Sequence, residues 1–283
     1  MKLIKRECCP FCNNSASKTL FKEKFSSEKM REFLNEYYKV SFENLKDSYY
    51  QLEECQKCQG IFQLNIPDKN FINYLYDELI NQDESLKKQK SLDLKSFKIY
   101  FEDAKFLTRY FKKKQNDISV LEFGCGFGSW ALYMKSLKFN IKVSELSSHR
   151  IKYLKKNNIE ILVTPKDEKF DCIYSNQVLE HVDNPLEILS ELKKMLNENG
   201  IMIHKIPSSF LFKKKLSNNY YAQKDCAHPL EHINIFNKNS ILEISKILKM
   251  KMIYNTFTYN RSYYSLLKDI KNLFYFDRII FKK

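Results

Sequence analysis

Apolar positions follow two rhythms along the 283 residues. Up to about residue 114 they recur mainly every three or four positions. Residues 28–50, 71–76 and 97–111 carry such stripes and are expected to be helical, while 61–67, just after the second cysteine cluster, reads as a strand. From residue 118 short unbroken apolar runs take over, at 118–123, 141–145, 159–163, 170–176 and 201–207. Runs of that length, rich in Ile, Val and Phe, read as strands buried on both faces. Between them, 129–137 and 186–196 read as helices, the second with Pro185 at its first turn and Gly200 past its end. Alternation of this kind predicts a parallel sheet covered by helices on both sides, an α/β domain. Residues 251–283 should add its last strands. Pro67 and the break at 115–117 divide the chain into an N-terminal module (1–67), a helical connector (68–114) and the sheet domain (115–283).

Five of the eight cysteines fall in two clusters, at 8–12 and 55–58. Each contains a Cys-x-x-Cys pair, Cys9 with Cys12 and Cys55 with Cys58. Two thiolates at that spacing grip one ion from a tight turn, and two turns complete a tetrahedral site suited to zinc. Cys8 is an alternative to Cys9, although Cys-x-x-x-Cys fits the turn less well. Gly60, just past the second pair, should supply the permissive backbone. Four sulfurs leave no position for water, so the expected role is structural.

Glycine is scarce, five residues in all, and three of them are Gly124, Gly126 and Gly128. They follow the first apolar run and precede a helix at once. Strand, glycine turn and helix form a nucleotide-binding crossover, with the ligand past the end of the strand. The spacing is Gly-x-Gly-x-Gly, not the Gly-x-Gly-x-x-Gly of dinucleotide binders. Glu122 would repel a pyrophosphate there but suits a ligand with an ammonium group. Glu145 ends the next strand, where an acid can accept both hydroxyls of a ribose.

Val120-Leu121-Glu122-Phe123-Gly124-Cys125-Gly126-Phe127-Gly128, then Glu145, then residues 170–185 with Gln177-Val178-Leu179-Glu180-His181-Val182, then residues 200–207, resemble the class I S-adenosylmethionine-dependent methyltransferases over about 97–250. The two separated cysteine pairs resemble the zinc module of methyltransferases that act at carbon on nucleotide-linked deoxysugars. The resemblance implies a Rossmann-like sheet with a small zinc-binding domain. It places Gly124, Gly126 and Gly128 under the methionine part of the cofactor, Glu122 at its ammonium group and Glu145 on the ribose. Asn176 and Gln177 would line the cofactor and the substrate mouth, or else cap the next helix. His181 would lie one turn into that helix, near the cofactor, or simply pack. In the sugar C-methyltransferases a Tyr-x-Glu-His stretch after the fifth strand is the acid–base group. Glu231 and His232 match it, but Pro229 stands where the tyrosine would be, and Tyr220 and Tyr221 lie off register. Without that phenol, His228 or His232 could instead deprotonate a hydroxyl for O-methylation. The sharpest expectation is His232, oriented by Glu231, as the base.

The net charge of +14 suits anionic partners, but the lysines are spread along the chain, and the runs at 112–114 and 213–215 read as solvated faces. Three classes compete: a methyltransferase acting on a small molecule such as a nucleotide sugar, an RNA methyltransferase gripping phosphates, and a non-catalytic binding module. The long insert between the cysteine pairs and the 177–182 stretch favour the first over nucleic acid. The intact glycine loop with both acids argues against the third. No apolar run is long enough to span a membrane, and the charged start does not read as a signal peptide, so a cytoplasmic location is expected.

Overall fold

The computed structural model describes residues 2–39, 43–75, 79, 82–91, 93–162, 168–217, 220–253 and 278–283. The N-terminal module holds β1 (Leu3–Lys5), β2 (Ser17–Lys24), α1 (Glu28–Tyr38), β3 (Tyr49–Cys55), β4 (Ile61–Gln63) and β5 (Asn65–Pro67). The connector is α2 (Lys69–Tyr74), α3 (Gln82–Lys90) and α4 (Leu94–Phe111). Then follow β6 (Ser119–Phe123), α5 (Ser129–Ser136), β7 (Asn140–Ser144), α6 (Ser148–Lys156), β8 (Glu160–Ile161), β9 (Phe170–Asn176), α7 (Pro185–Lys194) and β10 (Leu196–Lys205). The chain continues through α8 (Phe212–Leu216), β11 (Asn234–Ile235), α9 (Lys238–Ile247), β12 (Lys251–Met252) and β13 (Arg278–Lys282).

Among the described residues, the main sheet has seven strands in the order β12-β13-β10-β9-β6-β7-β8. β8, β7, β6, β9 and β10 run parallel, and β13 is antiparallel to both β10 and β12. Chain order reverses between β6 and β9. That reversal opens a crevice at the carboxyl ends of these strands, where α/β sheets take their ligands. β9 matches the expected strand 170–176, and its first six residues are buried. β8 is described only as Glu160–Ile161; Val163, and the part of the expected last strands at 254–277, lie outside the described residues.

Two expectations change, and one loop gains a partner. The insert at 28–50 is α-helical over Glu28–Tyr38, where Lys39 turns left-handed at φ 55°, and holds one further 3-10 turn at Glu43–Leu45. Its second half leads into β3, because alternating burial over Tyr49–Cys55 suits a half-buried strand. The apolar run 61–67 is two short strands that pair with different partners, β4 with β3 and β5 with β1. The loop after β10 is not free-standing. Its end, β11, joins β4, so the N-terminal sheet reads β11-β4-β3-β2.

The connector is also part of the sheet domain's packing. Ala104 and Leu107 of α4 bury against Val120, Ile141 and Trp130. Asp103, 1% exposed, accepts from the Trp130 indole at 3.1 Å and pairs with Lys205 and Arg278 at 2.9 and 3.2 Å. Among the described residues, no helix is long and apolar enough to cross a membrane.

Candidate active site and cysteine centre

Both cysteine turns close as hairpin-like knuckles. Cys9 accepts from the Asn13 N–H, and Cys55 from the Gln59 N–H, at their carbonyls. Asn13 and Gln59 carry the left-handed conformations, φ 57° and 56°. Gly60 therefore serves differently from expectation. A Cβ there would lie 2.3 Å from the Phe11 ring, so glycine is needed for close approach. The sulfurs of Cys9, Cys12, Cys55 and Cys58 lie within 4.8 Å of one another, and all four residues are buried. Cys9–Cys58 and Cys12–Cys55 are 3.5 Å apart, too far for disulfides and near the roughly 3.8 Å of a tetrahedral site with 2.3 Å bonds. N–H groups of Cys58 and Gly60 point at the Cys55 and Cys58 sulfurs. Cys8 is exposed and lies outside the cluster that contains Cys9. Donor set and spacing fit a four-thiolate ion site.

At the sheet's switch point, Gly124, Gly126 and Gly128 all adopt φ between 60° and 70°, a region costly for any residue with a Cβ. A Cβ on Gly124 would meet Val178 at 2.7 Å, and one on Gly128 would meet Leu154 at 2.6 Å. Glu122, 4% exposed, accepts the Ala131 N–H at 3.1 Å, at the start of α5. Burial pushes its carboxyl up to about 8. Glu145 accepts the Gly126 N–H at 2.8 Å on one oxygen and those of Leu146 and Ser147 on the other. A carboxylate has about four acceptor positions, and three are taken, so one is left, on the oxygen that accepts from Gly126 and has Arg150 3.8 Å away.

Asn176 ends β9, and Gln177 turns left-handed at φ 56°; both are exposed at the crevice. Neither caps a helix, because α7 starts only at Pro185 with Asn184 as its cap. His181 likewise sits in a turn and not in a helix. Asn234 holds that turn against β11, donating to the carbonyls of Leu179 and Val182. The turn brings Glu180 and His181 to His232: the two imidazole centroids are 4.8 Å apart, and Glu180 Oε1 is 3.9 Å from His181 Nε2. Burial drives His181 down to about 3, lowers His232, and raises Glu180 to about 8.

Glu231 does not orient His232. The Asp225 carbonyl does, accepting from Nδ1 at 2.6 Å and leaving Nε2 as the lone-pair nitrogen. Glu231 instead lies 2.9 Å from the hydroxyl of Tyr38, which is also 2.9 Å from the Pro229 carbonyl and 3.2 Å from His228 Nε2. His228 is 1% exposed, driven down to about 3 by burial, and packed on Phe33, so it is a seating residue rather than a surface base. Tyr38 is the residue that the sequence concealed. Its phenol stands beside the Glu231 carboxylate, although it comes from α1, 193 positions away. Tyr220, by contrast, packs against Phe21 and Phe212. A recess of about 620 Å³ at the β12–β13 edge is lined by Lys249, Lys251, Lys282 and Lys283. None of the residues above lines it, and the glycine loop is the better guide to chemistry.

A methyltransferase-domain family model matches residues 99–246, just over half of the chain. The chain belongs to the methyltransferase-domain family. It is an S-adenosylmethionine-dependent methyltransferase. An uncharacterized protein of Methanocaldococcus jannaschii is 30% identical over 167 residues, covering 57% of this chain and 67% of the relative. The ubiquinone biosynthesis O-methyltransferase of Rickettsia akari is 25% identical over 108 residues, 34% of this chain and 43% of that protein. In fold the methyltransferase is similar to the plantazolicin methyltransferase BpumL, solved with a desmethylPZN analog and SAH. That likeness has TM-score 0.53 at 16% identity, over 75% of this chain and 93% of the other. The family match begins inside α4 and ends in α9, so the cysteine module lies outside it.

Tyr38→Phe in this methyltransferase should cost about 1–3 kcal/mol of stability, since Glu231 loses its hydroxyl donor in a nearly buried place. Urea denaturation measures it, and an unchanged midpoint would show that the phenol does not hold the loop.

Proposed function

We propose that this methyltransferase acts on a small-molecule acceptor, a nucleotide-linked sugar or related surface-glycan precursor. The observation that carries the reading is the left-handed Gly124–Gly128 loop at the switch point, flanked by Glu122 and Glu145. The relatives' own names, ubiquinone biosynthesis and plantazolicin, support acceptors outside nucleic acid. S-adenosylmethionine supplies a methyl group already activated on a sulfonium. The chain's part is to bind, orient and exclude water, with alignment of the acceptor giving much of the rate. Gly124, Gly126 and Gly128 admit the methionine part, Glu122 pairs with its ammonium group, and Glu145 takes the ribose hydroxyls. Asn176 and Gln177 stand at the mouth. His232 acts on the acceptor through Nε2, and Glu231 and His228 hold its loop through Tyr38. Cys9, Cys12, Cys55 and Cys58 hold a structural zinc.

The deciding experiment measures cofactor consumption against nucleotide sugars and against RNA. Turnover with a nucleotide sugar supports the reading, and turnover with RNA alone overturns it. With a working acceptor, His232→Gln should lose roughly 10²–10⁴ in rate at unchanged cofactor affinity. Cofactor binding should also depend on pH. Glu122 is mostly protonated below about 8, and the ammonium group needs the carboxylate. Affinity should therefore rise from pH 5.5 towards 7.5, by up to about tenfold per unit. The rise should level off as the ligand's own amino group, of ordinary pKa about 7.7–8.0, loses its charge. Calorimetry would show that slope in the wild type, and a flat profile in Glu122→Gln. For the cysteine centre, Cys55→Ser should release the zinc and lower the melting temperature. A zinc-free wild-type chain with unchanged melting would refute the structural role.

A further inference from the structure

Glu180 is a buried acid, 1% exposed, and among the described residues neither carboxylate oxygen has a hydrogen bond from another residue; His181 Nε2 lies 3.9 Å from one of them. A buried carboxylate in that condition is costly unless a cation or proton meets it. What faces it are two imidazoles. One ligating atom each from Glu180, His181 and His232 lie within 4.8 Å of one another. Both rings are aimed by backbone carbonyls, His232 by Asp225 and His181 by Glu231. A carbonyl fixing one ring nitrogen as donor is how a metal-ligating histidine is oriented, with the other nitrogen left to bind. The acid is buried while the histidines are partly exposed, so the cluster opens on the crevice side.

We propose that Glu180, His181 and His232 hold a divalent first-row metal ion such as Zn(II), with open positions that take an oxygen of the acceptor. Two imidazoles and one carboxylate select such an ion over magnesium or calcium. Three protein ligands with room for a fourth mark a substrate-binding site and not a closed structural one. Metal bonds of about 2.0–2.2 Å require the ligand atoms to draw in by roughly half to one ångström. The site lies beside the cofactor loop, because Val178 of the same turn is the residue that packs on Gly124. The ligand class is an acceptor with a hydroxyl or an enolisable carbonyl. In this arrangement His232 acts on the acceptor as a metal ligand and does not itself take up the proton. That last statement rests on the proposed methyl transfer to a small molecule; the metal site does not.

The test is calorimetric titration of Zn(II) into the full chain already holding one equivalent of zinc in its cysteine centre. A second equivalent should bind the wild type and be lost in Glu180→Gln and in His232→Gln. Both variants should keep the first zinc and S-adenosylmethionine binding, which shows that they fold. Absence of a second equivalent in the wild type overturns the proposal. So does a second equivalent that both variants retain. If no second zinc binds yet His232→Gln still loses turnover, the metal site fails and the base reading of His232 stands.

Discussion

The methyltransferase depends on how one loop is seated. Residues 226–235 carry His232 to the crevice, and they are held by the N-terminal sheet as well as by the bonds of Asn234 to the 179–182 turn. Gln63 of β4, fully buried, donates its side-chain amide to the carbonyls of His228 and His232 at 2.9 and 3.1 Å. Its main-chain N–H bonds Ile233, and β11 pairs with the same strand. Tyr50 adds a bond to the Ala227 carbonyl, and Arg6 one to Ile233. A loop of that length would otherwise sample many conformations, at about 1–2 kcal/mol per fixed residue. Here backbone pairing and buried amide bonds remove that freedom before any ligand arrives.

β4 begins one residue after Gly60, so the cysteine centre and the histidines are mechanically close. Phe11, inside the first knuckle, packs edge-on against Phe236 just past β11, with centroids 4.9 Å apart. Asn237 and Asn239 bond Gln59 in the second knuckle, and Lys57 pairs with Glu243 on α9. The ion site would thus fix the C-terminal end of the loop's final strand. On the sheet's other side, Asp103 draws Lys205, Arg278 and the Trp130 indole together, and Trp130 lies flat on Tyr174 at 3.9 Å. Removing the acid would strand two cations in a mostly buried place, so the network ties α4 to β10 and β13 even if its net contribution is small.

The sheet was legible where its strands are short and mostly apolar, as a buried parallel strand is. Ser119–Phe123 and Phe170–Asn176 came out within a residue. The glycine loop was legible because three left-handed positions in five residues leave little other use for glycine. Of the module's β-sheet only the strand after the second cysteine pair was legible, since β2 alternates weakly and its partner β3 lies 25 positions on. Tyr38 and Gln63 were invisible for the same reason. A contact across 165 to 193 positions leaves no periodicity, and a tyrosine in a helical stripe reads as core. Nor could adjacency in sequence reveal that Glu231 and His232 point to different partners. Their order suggested a dyad, and the fold gives each its own.

The two buried acids of the crevice explain its chemistry best when taken together. Glu122 and Glu180 are each raised to about 8 by burial, and the turn carrying Glu180 touches the loop that follows Glu122 through Val178 and Gly124. The nearby histidines are held neutral by the same desolvation. Burial disfavours the charged form of both carboxyls, and a cation that meets either one favours its ionisation. An ammonium group at Glu122 would displace one proton, and a metal ion at Glu180 the other. Each exchange replaces a poorly solvated acid by an ion pair inside a low-dielectric space, where the attraction is strongest. Position sets what each acid can meet: Glu122 lies behind a glycine loop that leaves backbone bare, and Glu180 faces two imidazoles.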